Sequence, residues 1–374
     1  MVPQKRLSIK GANMSAFRSL LLAFSAAVIA GCGVPQALEP RGSTVPASSM
    51  AAAARYAYVS DTYANRVYVY AWSVSGMRRG AYIRSFHLTE PFGGCADNQG
   101  DVYITHLSNG NGELVEYRGD SGGRLRTLID SGNVPFSCAV DPKTGNIAVA
   151  NIGLAVTFGT HGSVWVYPSG SGPPVQFADL PSGGGTLQAM YFVAYDGSGK
   201  LYADGSVAPC YGFTICAPGG DAHVDVLPSC CSQSSTFVPV TLKGDPLVEI
   251  QYPGALVWDG KHLVVGDREA APYISGPYCV EQSRGCGALY ITVEGGSPSA
   301  PTLTEKALTL FNASAQAWGI AISDGKSVVP NMFGNTPYAA QVYRYPAGGA
   351  PVAGWDAPGS AQTPAFVVVS QPIK

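Results

Sequence analysis

Asp61, His106, Asn151, Asp204, Asp267 and Asn331 each stand at the end of a short run of β-branched or aromatic residues. Side chains at such matching places admit two uses. They can line a common mouth as ligand-binding groups, or they can cap nearby backbone N–H groups, which Asp and Asn do routinely at turns. Cysteine offers a second chemistry. Apart from Cys32, the chain holds eight: Cys95, Cys138, Cys210, Cys216, Cys230, Cys231, Cys279 and Cys286. An even number in an exported chain reads as a disulfide framework. The expected pairs are Cys95 with Cys138 and Cys279 with Cys286. The other four are expected to pair among themselves, with adjacent Cys230 and Cys231 not bonding each other. A zinc site would want a Cys-x-x-Cys pair or more histidine than the five present. "GDSGG" (119–123) matches the segment around a serine-protease nucleophile, yet it lies between two strand-like runs, where a hairpin needs a glycine-rich turn.

A repeat positions these residues. "PFGGCADNQGDVYITH" (91–106) and "PFSCAVDPKTGNIAVAN" (135–151) share one plan: a Pro-Phe start, an apolar strand, a polar turn with glycine, and a β-branched strand ending in a polar residue. Pro135 follows Pro91 by 44 residues, a spacing that suits one four-stranded blade. The plan recurs more loosely at 187–204, 252–267 and 317–331. Third strands are expected at "ELVEY" (113–117), "SVWVY" (163–167), "TFVPVTL" (236–242), "ALYITV" (288–293) and "QVYRY" (341–345). Fourth strands are clearest at "RLRTLI" (124–129) and "YIRSF" (82–86). With no sustained 3.6-residue period, the class is all-β. "YAYVSDTYANRVYVY" (56–70) supplies a second and a third strand without a first, and "TPAFVVVS" (363–370) supplies a first strand with nothing after it. Together they predict a six-bladed β-propeller closed by its two ends, which leaves no free sheet edge. Long insertions at 152–162, 205–235 and 268–287 are expected between second and third strands, on the face where the polar ring lies. Loops of that length are commonly functional, and all eight cysteines are expected to rigidify that face.

The beginning of the chain is built differently. "MSAFRSLLLAFSAAVIAGC" (14–32) places Arg18 before an apolar run and a small-residue site, the layout of a secretory signal, with Met14 as the expected start. Ile29-Ala30-Gly31-Cys32 resembles the lipobox of bacterial lipoproteins. That resemblance implies a signal peptide over 1–31 and acylation of Cys32. With Gly33 rather than Asp next, it implies the outer membrane in a Gram-negative host. Residues 32–54 lack large apolar side chains and read as a flexible tether, so the folded domain is 55–374. A net charge of −2 and only 13% charged residues argue against nucleic acid as a partner and against an electrostatic pull to membranes.

The segment "VSDTYANRVYVY", through Asp61, Asn65 and Arg66, resembles NHL repeats, and the region 55–374 is similar to the broad group of NHL and gluconolactonase/regucalcin-like propellers. The resemblance implies fold more firmly than function, because propellers serve as enzymes, scaffolds and binders alike. In gluconolactonase-like members a Glu, two Asn and an Asp hold one divalent cation that polarises a lactone carbonyl and helps activate water. Hard oxygen ligands of that type suit Ca²⁺. Here Glu90, Asn151, Asp204 and Asp267 stand for that set, with Asn331 as a further candidate. Neighbouring strand starts supply Gln188, Gln316 and Pro253 rather than further acids. Two readings result: a non-catalytic envelope module that binds a protein, peptide or glycan without a cofactor, and a Ca²⁺-dependent lactonase. A purely structural envelope protein is the third.

Overall fold

The computed structural model describes residues 55–370 apart from 73–81, 120–121, 154–160, 179, 183–184, 188, 207–209, 212–214, 217–221, 233, 244–252, 268–285, 312–318, 331–337 and 357–363. The chain divides into two compact units, Met1–Val45 and Pro46–Lys374, and every described residue belongs to the second.

That unit is a β-propeller. Its blades are antiparallel sheets of four strands, each counted from the inside outwards. Blade 1 joins the chain ends: Pro364–Val369, Arg55–Asp61, Arg66–Trp72 and Tyr82–His87. Blade 2 is Pro91–Ala96, Val102–Ser108, Asn111–Tyr117 and Arg124–Asp130, and blade 3 is Val134–Val140, Ile147–Ile152, Ser163–Tyr167 and Val175–Ala178. Blade 4 is Ala189–Tyr195, Leu201–Ser206, Ala222–Leu227 and Val238–Pro239. Blade 5 is Pro253–Trp258, Leu263–Asp267, Cys286–Ser297 and Ala300–Phe311; blade 6 is Ala321–Ser323, Lys326–Pro330, Tyr338–Arg344 and Gly348–Asp356. Blades 5 and 6 are joined by the single pairing of Leu310 with Gly349. The C-terminal strand pairs with Arg55–Asp61 from Val369 opposite Ala57 to Pro364 opposite Asp61. One small cavity is lined from all six inner segments, through Gly93, Ser137, Phe192, Leu256, Ile320 and Phe366 among others.

Blade 4 corrects the sequence reading. Its third strand is Ala222–Leu227, inside the stretch 205–235 taken for one insertion; of "TFVPVTL", Val238–Pro239 forms the fourth strand, and Thr241–Leu242 pairs in parallel with the outer strand of blade 5. The reason is physical: Asp225 interrupts the apolar run at its centre, and it is fully buried. Cys230 and Cys231 therefore follow the third strand and lie on the opposite face from Cys210 and Cys216.

Two faces result. On the turn face, short turns join first to second strands and share one device. Asp97 Oδ1 accepts the N–H groups of Gln99 and Asp101, Asp196 Oδ1 those of Ser198 and Lys200, and Asp259 Oδ1 those of Lys261 and His262. Asp141 Oδ1 takes the N–H of Lys143 in the same place. Each seam between blades is tied on this face. Tyr58 Oη donates to Gly119 O (2.9 Å), Asn98 Nδ2 to Pro142 O (2.6 Å) and Lys143 Nζ to Ser198 O (3.0 Å). Lys200 pairs with Glu294, Tyr345 Oη donates to Asp259 Oδ2 (2.5 Å), and Asp324 accepts from Arg55 (2.7 Å) and Trp72 Nε1 (2.9 Å). The insertion face carries the other strand ends.

Candidate functional site

On the insertion face the inner strands begin with an irregularity. Register shifts follow Pro91, Pro135 and Pro253, fall between Met190 and Phe192, and accompany Pro364 opposite Asp61. Such bulges leave a backbone group unpaired and re-aim the chain. Opposite them stand the polar residues of the ring: Asp61 faces Pro364, His106 faces Pro91, Asn151 faces Pro135, Asp204 faces Phe192 and Asp267 faces Pro253. The repeat read from the sequence thus places these five at equivalent positions. Asn331 lies outside the described residues, as does the side chain of Asp267.

Their work is largely internal. Asp204, 1% exposed, accepts the Phe192 N–H on Oδ1 at 2.8 Å. Asp61 Oδ1 accepts the Ala64 N–H at 3.0 Å and so closes the turn into the next strand. His106 Nδ1 lies 3.2 Å from Thr89 O, and Nε2 lies 3.2 Å from Glu113 Oε2. Burial holds its pKa below the usual imidazole value despite the neighbouring carboxylate. Asn151 is buried beside Asp130, whose Oδ1 accepts from Asn133 Nδ2 at 2.7 Å. Burial raises Asp130 to about 6 against the opposing amides of Asn133 and Asn151. The Asp–Asn–Arg segment is structural as well. Asn65 adopts a left-handed backbone (φ 52°), its Oδ1 accepts the Glu90 N–H at 2.7 Å, and Arg66 donates to Ser85 Oγ.

Glu90 itself is exposed, whereas Asn151 and Asp204 are buried. Between these positions and the axis stand aromatic rings. Phe136 packs against Phe92, Phe192 and Phe366 at centroid distances of 5.7, 5.5 and 5.0 Å, and against Tyr191 at 5.5 Å. All five are buried. They fill the insertion-face end of the channel, and the cavity that remains holds about 40 Å³, room for a few waters. The walls are close: a Cβ on Gly93 would sit 2.6 Å from Phe136 O, and one on Gly319 would sit 2.8 Å from the Phe366 Cα.

Among the described residues, one group of three His, Cys, Asp or Glu side chains comes within 4.8 Å: Asp97, Asp101 and Glu116, on the turn face. The sequence reading passed over it. Each carboxylate there already serves the fold, since Asp97 closes its turn, Asp101 Oδ1 accepts the Gly119 N–H and Glu116 pairs with Arg126.

The cysteines divide between places. Cys95 and Cys138 form the expected disulfide between the inner strands of blades 2 and 3, Cα atoms 5.4 Å apart. Cys210 and Cys216 are register partners in a two-stranded ladder. Cys230 and Cys231, expected not to bond each other, stand side by side in sequence after the third strand of blade 4. The turn after the third strand holds both beside Tyr195, whose hydroxyl is 3.5 Å from Cys230 Sγ. The eight cysteines therefore do not brace a single face. Cys279 lies outside the described residues, and Cys32 does too.

No protein-family model and no curated protein sequence matches the chain. Solved structures do, in 449 chains. A nidogen/laminin complex matches with a TM-score of 0.56 at 10% identity, over 84% of this chain and 98% of that one. The likeness is one of fold. A putative gluconolactonase matches at a TM-score of 0.46 and 14% identity, over 74% of this chain and 80% of that one. A protein from Lactobacillus plantarum gives 0.46 and 14%, over 85% and 99%.

Proposed function

We propose that this protein is a non-catalytic binding module, a β-propeller held to a bacterial envelope through acylated Cys32, that engages a protein, peptide or glycan on its insertion face. The filled channel carries this reading. A lactonase of the kind the sequence resembles works through a cation in the channel mouth, and here that mouth is packed with Phe92, Phe136, Phe192 and Phe366. Ligand sites in folded proteins usually offer at least ~300 Å³, far more than the axis leaves. Recognition then falls to the faces.

The two faces are not equivalent. The turn face carries the hydrogen bonds that tie the seams and a cavity of about 480 Å³ beside Lys200, Val226 and Glu294, while the insertion face carries the long connections at 152–162 and 268–287. Arg55, where the domain begins, is bound to Asp324 on the turn face. A chain entering there joins the domain at the turn face, the end opposite the insertion face.

The test compares the mature protein with a variant in which 268–285 is replaced by a short turn, on peptide and glycan arrays and by membrane fractionation. Saturable binding that the variant loses, and release from membranes on Cys32→Ser, are the expected results. Hydrolysis of a lactone that depends on Ca²⁺, or a melting temperature that drops on chelation, would overturn the reading in favour of the enzyme.

A further inference from the structure

Tyr63 (64%) and Ile129 (56%) are the most exposed large apolar side chains among the described residues. Both stand at the insertion-face end of the seam between blades 1 and 2. Tyr63 lies in the turn that joins Arg55–Asp61 to Arg66–Trp72. Ile129 ends a cross-strand row of blade 2, in which Pro91 pairs with His106, His106 with Glu113 and Glu113 with Ile129. Side chains paired in this way share one side of their sheet. Two residues along the same strands, Ile104 and Val115 pack with Tyr58, Val67 and Leu88, so that side looks toward blade 1.

Single exposed apolar residues need no explanation, but beside Tyr63 the fold holds up an acid. Glu90 is exposed, in the connection that runs from blade 1 to Pro91, and its backbone is left-handed at φ 42°. A residue with a Cβ adopts that conformation only where its surroundings impose it. Here they do. Asn65 Oδ1 accepts the Glu90 N–H at 2.7 Å, Thr62 Oγ1 donates to Pro91 O at 2.6 Å and the Leu88 N–H donates to Asn65 O at 3.1 Å. Asp61 Oδ1 closes the turn from within through the Ala64 N–H. The loop that carries the aromatic ring and the loop that carries the carboxylate are therefore locked to each other.

Both side chains are unengaged. Among the described residues neither the Glu90 carboxylate nor the Tyr63 side chain has a hydrogen-bond, ion-pair or ring partner. The cations of this end are placed elsewhere: Arg66 donates to Ser85 Oγ, and Arg124 lies 4.0 Å from Glu113, which also has His106 Nε2 at 3.2 Å. His87 is exposed opposite Arg66. The connections 331–337 and 357–363 of the neighbouring blade lie outside the described residues and contain no lysine or arginine.

We propose that Tyr63 and Glu90 are the anchor for a basic segment of a protein partner, which sets a lysine or arginine on the carboxylate and the aromatic ring and an apolar neighbour on the row that ends at Ile129. An aromatic face attracts a cation, and a guanidinium or ammonium pairs with a carboxylate through charge-assisted hydrogen bonds. Loops already fixed by their own hydrogen bonds lose little freedom when a partner arrives. The inference rests on the reading of the insertion face as the binding surface, and it names the chemistry of what binds there.

Fluorescence anisotropy tests it on the full-length protein, with labelled short peptides of equal apolar content that carry arginine, glutamate or neither, at low and at high salt. The arginine peptides should bind best and weaken as salt rises. Tyr63→Ala and Glu90→Gln should each weaken them by about tenfold, with melting curves unchanged because both side chains are exposed. Glu90→Lys should move the preference to the glutamate peptides, which a merely structural role for Glu90 would not do. Equal binding of all three peptide classes overturns the proposal, as does arginine-peptide binding that survives both Tyr63→Ala and Glu90→Gln. If that surviving binding is lost when 268–285 is replaced, the insertion face remains the binding surface and only this anchor falls.

Discussion

Removing the Asp204 carboxylate would leave the buried Phe192 N–H without its acceptor at 2.8 Å. An unsatisfied buried donor costs about 1–3 kcal/mol. Asp204→Ala should therefore lower unfolding stability by about that much in urea, with Asp204→Asn, which keeps an acceptor oxygen, losing less. Equal losses in the two variants would remove the capping role. Of the ring, the positions were legible because each polar residue ends a β-branched run. Their employment was not legible, because a sequence does not show where a bulge exposes an N–H. The same holds for Asp97, Asp141, Asp196 and Asp259. They stand in the glycine-bearing turns that revealed the repeat, yet their role is visible only once two amides are seen to converge on one oxygen.

At the scale of strands and loops, the tie between blades 2 and 3 is the clearest lever. Cys95 and Cys138 are 43 residues apart, and closing a loop of that length removes about 4 kcal/mol of denatured-chain entropy. The Cys95→Ala/Cys138→Ala double variant should lose a comparable amount of stability in guanidinium. A midpoint within error of the wild type would show that the bridge is ornamental. This pair was readable in advance because both cysteines hold the same place in adjacent repeats. The third strand of blade 4 was not, since "HVDVL" reads as an alternation broken by a charge, and only burial reveals Asp225 to be inside. Misplacing that one strand moved Cys230 and Cys231 to the wrong face. The long strands Cys286–Ser297 and Ala300–Phe311 were likewise only partly visible, because their far ends, Glu294 to Ala300, are polar and exposed.

For the molecule as a whole, pH and closure are the two global tests. Asp130 and Asp225 have native pKa values raised to about 6 and about 7 by burial. Through these two groups the native state binds more protons than the unfolded chain between about pH 4 and 7, so their contribution falls as pH rises through that window; His106, held below the usual imidazole value by burial, offsets part of it by favouring the native state as pH rises past about 6.5. Asp259 and Asp324 act oppositely. Burial pushes each up, but hydrogen bonds outweigh it, from Tyr345 and His262 to Asp259 and from Trp72 and Arg55 to Asp324, and hold both below the usual range. Their contribution is lost as pH drops below about 4. Melting followed by circular dichroism should show a higher transition temperature at pH 5 than at pH 8, by several degrees. Asp225→Val should shrink the difference, and an optimum above pH 7 would contradict the assignment. Truncation after Thr363 removes a strand whose six residues are all buried, so it should abolish the cooperative transition. A truncated protein with unchanged melting would show that the ring does not depend on that strand.

The position of Arg55–Asp61 has a mechanical consequence. Although it is the first strand of the domain in sequence, it lies second from the axis, zipped to Arg66–Trp72 on one side and to the last strand of the chain on the other. A pull applied to the chain at Arg55 would therefore load two antiparallel ladders in shear at once, with the Asp324 clamp at the point of attack, and could not peel an edge one hydrogen bond at a time. Built this way, the domain does not offer its first strand as the place where a pull on the chain would begin to unravel it.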